Sequence, residues 1–263
     1  MKQKYGPWAL IAGGSEGIGE KFARYLAADG INLVLLARRA EPLEELAKSV
    51  IAETGVEVRI ITADLTRPDM LELVRAKTDD LEIGMLIYNA GVDNRASDFV
   101  ERSLRSLRWS IDLTVIGQTL LAHHFGALMR SRKRGGIILV GSLLAYAGGG
   151  GMSVYAAAKA YSHTLAKGLW YELKPHGVDV LGLVVSATKT PAYQKFGMPD
   201  KSEDGRILAS DPALVAREGL EHLGREPLWV VSEAQDMANL LLSLSPAEAV
   251  ELVSGSAASM QGR

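Results

Sequence analysis

Trp8-Ala9-Leu10-Ile11-Ala12-Gly13-Gly14-Ser15-Glu16-Gly17-Ile18-Gly19-Glu20 is the stretch whose reading decides the fold. A run with no polar face makes a strand, glycines break it, and a helix restarts with Ile18, Phe22 and Leu26 on one side and Gly30 as its stop. Gly13, Gly17 and Gly19 carry no Cβ, so the turn is tight and its backbone amides and the helix N-terminus can face an anion of pyrophosphate size. A glycine cluster by itself also serves as an ordinary strand-to-helix turn, so the rest of the chain has to decide.

Outward from that stretch the pattern alternates. Ile31 to Ala37 is an apolar run ending at Arg38 and Arg39; Pro42 opens a helix carrying Leu43, Leu46, Ala47 and Val50, which Gly55 closes. Val56 to Thr62 is the next strand, followed by Asp64 and Leu65, a short helix from about Pro68 to Ala76, and a strand from Ile83 to Tyr88 that stops at Asn89-Ala90-Gly91. Ser97 to Arg130 reads as one long helix ended by Gly135-Gly136. Ile137 to Val140 forms the fifth strand with Ser142 at its end, and a glycine run, Gly148 to Gly151, leads into a helix bearing Tyr155 and Lys159 that Pro175 to Gly177 terminates. Val178 to Val185 is a sixth strand, Ser186 to Ser210 is irregular, Asp211 caps a helix with Pro212 in its first turn, and Leu228 to Val231 is the last strand. Such alternation requires right-handed crossovers. It predicts an α/β fold, a single doubly wound parallel sheet of about seven strands with helices on both faces and a ligand crevice at the carboxyl ends of the strands.

Residues 1–232 are expected to form the catalytic, nucleotide-binding domain, including a substrate loop at about 186–210. Residues 233–263 form a helical extension of it, with one helix from Glu233 to Leu242 and another opened by the capping box Ser245-Pro246-Ala247-Glu248. That tail packs on the body or on a neighbouring subunit, or else acts as a lid.

Composition removes several classes. With 263 residues and 48% hydrophobic content one two-faced core is affordable, and a formal charge of -2 gives no bias toward nucleic acid or an anionic membrane. Zero cysteines excludes disulfides, thiolate metal sites and a cysteine nucleophile. The apolar run after Lys2 and Lys4 is too short for a secretory leader, and no stretch has the length of a membrane span, so a cytoplasmic location is expected. His123 and His124 are adjacent on a helix and diverge, so no metal site is expected. Tyr161 and Tyr171 read as packing residues, and Trp170 and Leu173 as core or subunit-interface residues.

The chemistry concentrates on three residues. Tyr155 and Lys159, four apart on a helix, emerge on one face, and an ammonium beside a phenol draws the phenol pKa down from about 10 toward the range of a general acid or base. Ser142 arrives from a strand end, where its hydroxyl can bond a carbonyl or alkoxide oxygen.

In order and spacing these residues resemble the short-chain dehydrogenase/reductase family, its branch of roughly 250 residues, from Trp8 to about Val231. Gly13-x-x-x-Gly17-Ile18-Gly19 resembles the family's cofactor loop, Asp64-Leu65 its adenine-contacting pair, and Asn89-Ala90-Gly91 the motif closing its fourth strand. The resemblance implies that Ser142, Tyr155 and Lys159 are catalytic, that Tyr155 and Lys159 also touch the cofactor, and that Thr188 and Thr190, before Pro191, hold its carboxamide. Arg38 and Arg39, where an acidic residue would bond a ribose hydroxyl, point to NADP(H) rather than NAD(H); Ser15 adds a phosphate bond and Glu16 opposes it. The expected activity is interconversion of a ketone or aldehyde with an alcohol, on an apolar small molecule, by a homodimer or homotetramer.

Two positions depart from the family pattern. Asp112 is matched to an asparagine that anchors a proton relay; a carboxylate there would sit near Lys159, raise its pKa and alter the pH response, or else be a solvated helix residue. Val185-Ser186 replaces Pro-Gly after the sixth strand. Leu144, Tyr146, Met152, Tyr193, Phe196 and Met198 are candidates for an apolar pocket. The rival readings are a dinucleotide-binding sensor or scaffold, which the set Ser142, Tyr155 and Lys159 opposes, and a nucleotide-fold methyltransferase, which would want an acid where Arg38 stands.

Overall fold

The structure, a computed structural model, describes residues 1–91, 97–195 and 209–260. Seven parallel strands, β1 (Trp8–Ala12), β2 (Asn32–Ala37), β3 (Val58–Thr62), β4 (Ile83–Tyr88), β5 (Gly135–Val140), β6 (Val178–Val184) and β7 (Leu228–Val230), form one sheet in the order 3-2-1-4-5-6-7. β1 lies between β2 and β4, with Leu10 opposite Val34 on one side and Leu86 on the other. All five of its side chains are buried, which explains its unbroken apolar sequence.

The period of two in each strand sorts its side chains into two cores. Ala9 and Ile11 face a core shared with Phe22 and Leu26 of α2 (Ile18–Ala28), Leu43 and Val50 of α3 (Ala40–Thr54), and Val215 of α10 (Pro212–His222). Leu10 and Ala12 face the other, with Met70 of α4 (Met70–Arg75), Leu121 and Phe125 of α6 (Gly117–Arg132), and Ala166 and Leu173 of α8 (Ser153–Leu173). Each fully buried Phe or Leu contributes roughly 1.5–3 kcal/mol of burial, and both faces are covered, as an all-parallel sheet requires.

Boundaries follow the expected signals within a residue or two, with informative exceptions. α3 begins at Ala40, ahead of Pro42, because a proline in the first helical turn forfeits no needed N–H; Gly55 ends it in left-handed geometry, φ 72°. Asp211 caps α10 by accepting the Ala213 amide at 2.8 Å. Gly135 and Gly136 do not end a helix. They open β5, and α6 closes two residues earlier at Lys133, φ 55°.

The long helix expected from Ser97 to Arg130 is broken into a 3-10 turn Phe99–Glu101, α5 (Leu104–Ile111), a π-turn Asp112–Ile116, and α6. Its cause lies outside the helix. The buried Tyr88 hydroxyl donates to the Leu113 carbonyl, and the Gly117 amide reaches back five residues to Asp112. A Cβ on Gly117 would stand 2.5 Å from Tyr88 Oη, so the glycine lets the tyrosine in.

At the termini, α1 (Lys2–Tyr5) is held by the Tyr5 hydroxyl donating to Asp179 at 2.6 Å. α11 (Gln235–Ser243) and α12 (Pro246–Met260) share a third apolar cluster: Ala238, Leu241 and Ala249 meet Leu143 and Val184, with Tyr146 of α7 (Leu144–Ala147) against them. The capping box forms, Ser245 N–H donating to Glu248 at 2.9 Å and Glu248 N–H to Ser245 Oγ at 3.4 Å. No helix among the described residues is long and apolar enough to cross a membrane.

Candidate active site

The cradle is built by backbone. Gly13 and Gly17 have φ of 81° and 61°, conformations that side chains rarely adopt. A Cβ on Gly19 would lie 2.0 Å from the Gly13 carbonyl oxygen, one on Gly13 2.8 Å from the Ala90 amide, and one on Gly17 2.7 Å from Thr190 Cγ2. Only glycine lets the loop pack this closely on itself and its neighbours, and a tight glycine turn running into the N-terminus of α2 is the kind of cradle that suits a dinucleotide phosphate. β4 closes one side: Asn89 and Ala90 amides both donate to Ala12 O at 2.9 Å, and Asn89 Nδ2 donates to Gly13 O at 3.0 Å. Gly91 follows, buried.

Farther along the crevice, Asp64 accepts the Thr66 amide and hydroxyl at 3.0 and 2.9 Å, which fixes its carboxylate, and Leu65 is buried beside it. Arg38 lies over Trp109, 5.6 Å from the ring centroid, and Arg39 pairs with Glu16 at 2.7 Å. Ser15 is half-buried at the turn and Ile18 is buried under it. Across the crevice Thr188 donates to Ser186 O at 3.1 Å, its strand-like bridge to Ser210 anchors the segment after β6, and Thr190 caps α9 (Pro191–Lys195) by accepting the Tyr193 amide at 3.2 Å. At the second departure from the family pattern, Ser186 bonds Ser210 between their hydroxyls at 2.9 Å, and Val185 O accepts the Leu143 amide at 2.9 Å.

At the end of β5 the materials are side chains. Lys159 is buried, its Nζ donating to Val140 O at 2.8 Å and standing 5.6 Å from the Tyr155 ring centroid. Burial strips water from the ammonium and pulls its pKa from 10.5 to about 8. Ser142 is buried just past β5; its Oγ accepts the Leu144 amide at 3.3 Å, and its own N–H donates to His163 Nε2 at 3.3 Å. Leu144, Tyr146 and Met152 are half-buried along the same rim, and burial raises the Tyr146 phenol. Tyr193 is half-buried on α9, whereas Phe196 and Met198 lie outside the described residues. α12 reaches this rim, Ser254 Oγ accepting the Gly150 amide at 2.8 Å.

Asp112 is not brought to Lys159. Its carboxylate accepts Arg108 Nε at 2.8 and 2.9 Å, and no ion pair joins it to Lys159 among the described residues. The side chain on that side of the π-turn is Thr114: a Cβ placed on Gly91 would meet Thr114 Cγ2 at 2.7 Å and Lys159 Nζ at 3.5 Å. Ser110, Thr114 and Gln118 form a buried polar series, each side chain of the last two bonding the carbonyl four residues back, and Ser162 of α8 donates to Gln118 at 3.0 Å. Polar residues repeating every fourth position in a helix otherwise apolar toward the sheet were the available signal. Tyr161 bonds Thr119 hydroxyl to hydroxyl at 2.7 Å, Trp170 and Leu173 pack in the core, and Tyr171 is 77% exposed rather than packed. No group of three or more metal ligands occurs among the described residues.

Comparison with known proteins agrees with this geometry: the family described as short chain dehydrogenase matches residues 7–200. The chain belongs to that family. As a short-chain dehydrogenase it is an oxidoreductase of a fold that binds NAD(P). It is 33% identical over 236 residues to a 7beta-hydroxysteroid dehydrogenase of Clostridium sardiniense, covering 89% of this chain and 88% of the relative. Among solved structures, a 7beta-hydroxysteroid dehydrogenase studied for its stereoselectivity superposes with a TM-score of 0.89 at 26% identity, covering 96% of this chain and 98% of that one. A short-chain dehydrogenase from Sphingobium yanoikuyae in complex with NADPH superposes with a TM-score of 0.78 at 31% identity, covering 91% and 96%.

Proposed function

We propose that this short-chain dehydrogenase interconverts a ring hydroxyl and the corresponding ketone on a hydroxysteroid, using NADP(H), with Tyr155 as general acid and base. The observation that carries the reading is the buried Lys159 ammonium, fixed by the Val140 carbonyl and set against the Tyr155 ring. A dinucleotide held in the glycine cradle supplies or accepts hydride. In reduction Tyr155 Oη gives its proton to the carbonyl oxygen, Ser142 Oγ donates a hydrogen bond to that oxygen as charge develops, and Lys159 favours the phenolate left behind. Thr114 and Lys159 both stand close to Gly91, which supports giving Thr114 a place beside Lys159.

Preference for the 2′-phosphate rests on Arg38 and Arg39 at the end of β2, supported by likeness to a relative complexed with NADPH. The steroid assignment draws on the 7beta-hydroxysteroid dehydrogenases that match the chain over nearly its whole length, and the half-buried apolar rim of Leu144, Tyr146 and Met152 suits a fused-ring surface. We read residues 1–232 as the catalytic unit and 233–263 as an extension of it, in the cytoplasm, and exposed Leu104, Ile111, Ile116 and Tyr171 as the apolar contribution to a homo-oligomer.

A panel of hydroxysteroids and ketosteroids, beside simple ketones and alcohols, read by NADPH absorbance, tests the proposal. Turnover of a steroid ketone with NADPH in preference to NADH is expected. NADPH binding without turnover of any member would favour the sensor reading.

A further inference from the structure

His163 sits one turn beyond Lys159 on α8, 5% exposed, and nothing in the reaction described above uses it. Its ring lies against the backbone just past β5: a Cβ on Gly141 would come within 2.2 Å of Nε2, and the Tyr146 ring covers it at 5.4 Å between centroids. The strand ladder explains why a side chain is needed there. Gly141 and Leu143 donate their amides to Leu183 and Val185 on the β6 side at 2.7 and 2.9 Å. By the alternation of a parallel strand the Ser142 amide faces the β4 side, where β4 has already ended at Tyr88 and the chain has turned to bond Ala12. A buried amide with no strand acceptor would be costly, and His163 Nε2 accepts it at 3.3 Å.

We propose that His163 is a positioning residue for Ser142, standing in for the missing strand so that the Ser142 peptide, and with it the aim of the hydroxyl, is fixed from the same helix that carries Tyr155 and Lys159. The inference rests on the reading of Ser142 as the group that binds the reacting oxygen. An acceptor role requires an unprotonated Nε2. Burial, with Lys159 and Lys167 as the charged groups facing the ring, holds the imidazole pKa down to about 4, so the ring is neutral in the working range, and Tyr146 adds no charge.

The test is a double-mutant cycle on the full-length enzyme with a ketone found by the panel, reading kcat, KM and NADPH affinity. His163→Leu is expected to lower kcat by about 10- to 100-fold with NADPH affinity unchanged, the cost of an unpaired buried amide and a misaimed hydroxyl. His163→Gln, whose Oε1 reaches the place of Nε2, restores most of it, while the shorter His163→Asn does not. In a Ser142→Ala background His163→Leu costs less than about threefold more, because the group it positions is gone. Equal losses with and without Ser142, or an unchanged kcat in both His163→Leu and His163→Asn, would overturn the proposal. A Ser142→Ala enzyme with full turnover would instead overturn the assignment of Ser142. Should His163→Leu not fold, the Asn and Gln pair carries the same comparison.

Discussion

At the β1 end of the crevice the loop is shaped by backbone: Gly13, Gly17 and Gly19 are walled by Asn89-Ala90, the Gly13 carbonyl and Thr190 with no room for a Cβ. At the β5 end every deciding group is a side chain, Lys159 and His163 reaching from α8 to hold Val140 and Ser142. The first kind of site is fixed by shape and is indifferent to pH. The second depends on the charge states of buried groups and is tuned by solvent exclusion. Substitutions should therefore separate binding from chemistry according to the end they touch.

Tyr155→Phe is the most severe break of that comparison. It removes the atom that exchanges the proton and leaves the cradle alone, so kcat falls about 10²- to 10⁴-fold while NADPH still binds. Retention of full turnover in the folded variant would remove the mechanism. Gly19→Ala breaks the other end, since its Cβ would meet the Gly13 carbonyl at 2.0 Å. Overpacking against backbone costs about 1–3 kcal/mol, so NADPH titration is expected to show roughly a 5- to 100-fold loss of affinity together with a lower melting temperature.

The pH response belongs to the β5 end alone. With its pKa at about 8, Lys159 loses its ammonium above that pH, and kcat/KM for reduction falls about tenfold per unit beyond it, a limb absent from Lys159→Met. Stability moves the opposite way. Between about 8 and the ordinary 10.5 the unfolded chain holds the lysine proton and the native state does not, so unfolding free energy rises with pH over that window, and urea melts of the two proteins should diverge there.

Arg38→Asp sharpens the binding end by replacing a charge-assisted bond with repulsion. The NADPH-over-NADH affinity ratio drops by at least about tenfold, read by fluorescence titration of both. Asp112→Asn gives the smallest effect. Its carboxylate serves an exposed pair with Arg108, worth about 0–1 kcal/mol, so kcat changes less than about twofold and the pH profile superimposes on that of the unaltered protein. A displaced profile would return Asp112 to the relay.

The binding end was also the more legible one. Fully buried parallel strands spell themselves as apolar runs, and β4 occupies Ile83–Tyr88, the span its apolar run predicts. The glycine spacing of the cradle and the four-residue step from Tyr155 to Lys159 are local facts of sequence. What could not be read locally is what distant groups impose. The π-turn at Asp112 exists because Tyr88, on a strand 25 residues earlier, takes the Leu113 carbonyl. The pairing of Asp112 with Arg108 beside that turn is likewise a property of the folded helix. His163 is plain in the sequence as a histidine, but the task proposed for it depends on β4 ending at Tyr88, before the level of Ser142, a fact of the sheet and not of the helix. The series Ser110, Thr114, Gln118 was present in the sequence at helical spacing and would have pointed at the buried polar face.

Arg39 does not meet a ligand as a bare cation, because Glu16, across the mouth of the cradle, already holds it at 2.7 Å. If Arg39 takes the 2′-phosphate as proposed, entry of that phosphate exchanges one anion for another on the same guanidinium. The affinity so measured would be a difference between two ion pairs, and a dinucleotide without a 2′-phosphate would leave the resident pair undisturbed. On that proposal, selectivity at this arginine would be set as much by the carboxylate that must be displaced as by the phosphate that arrives.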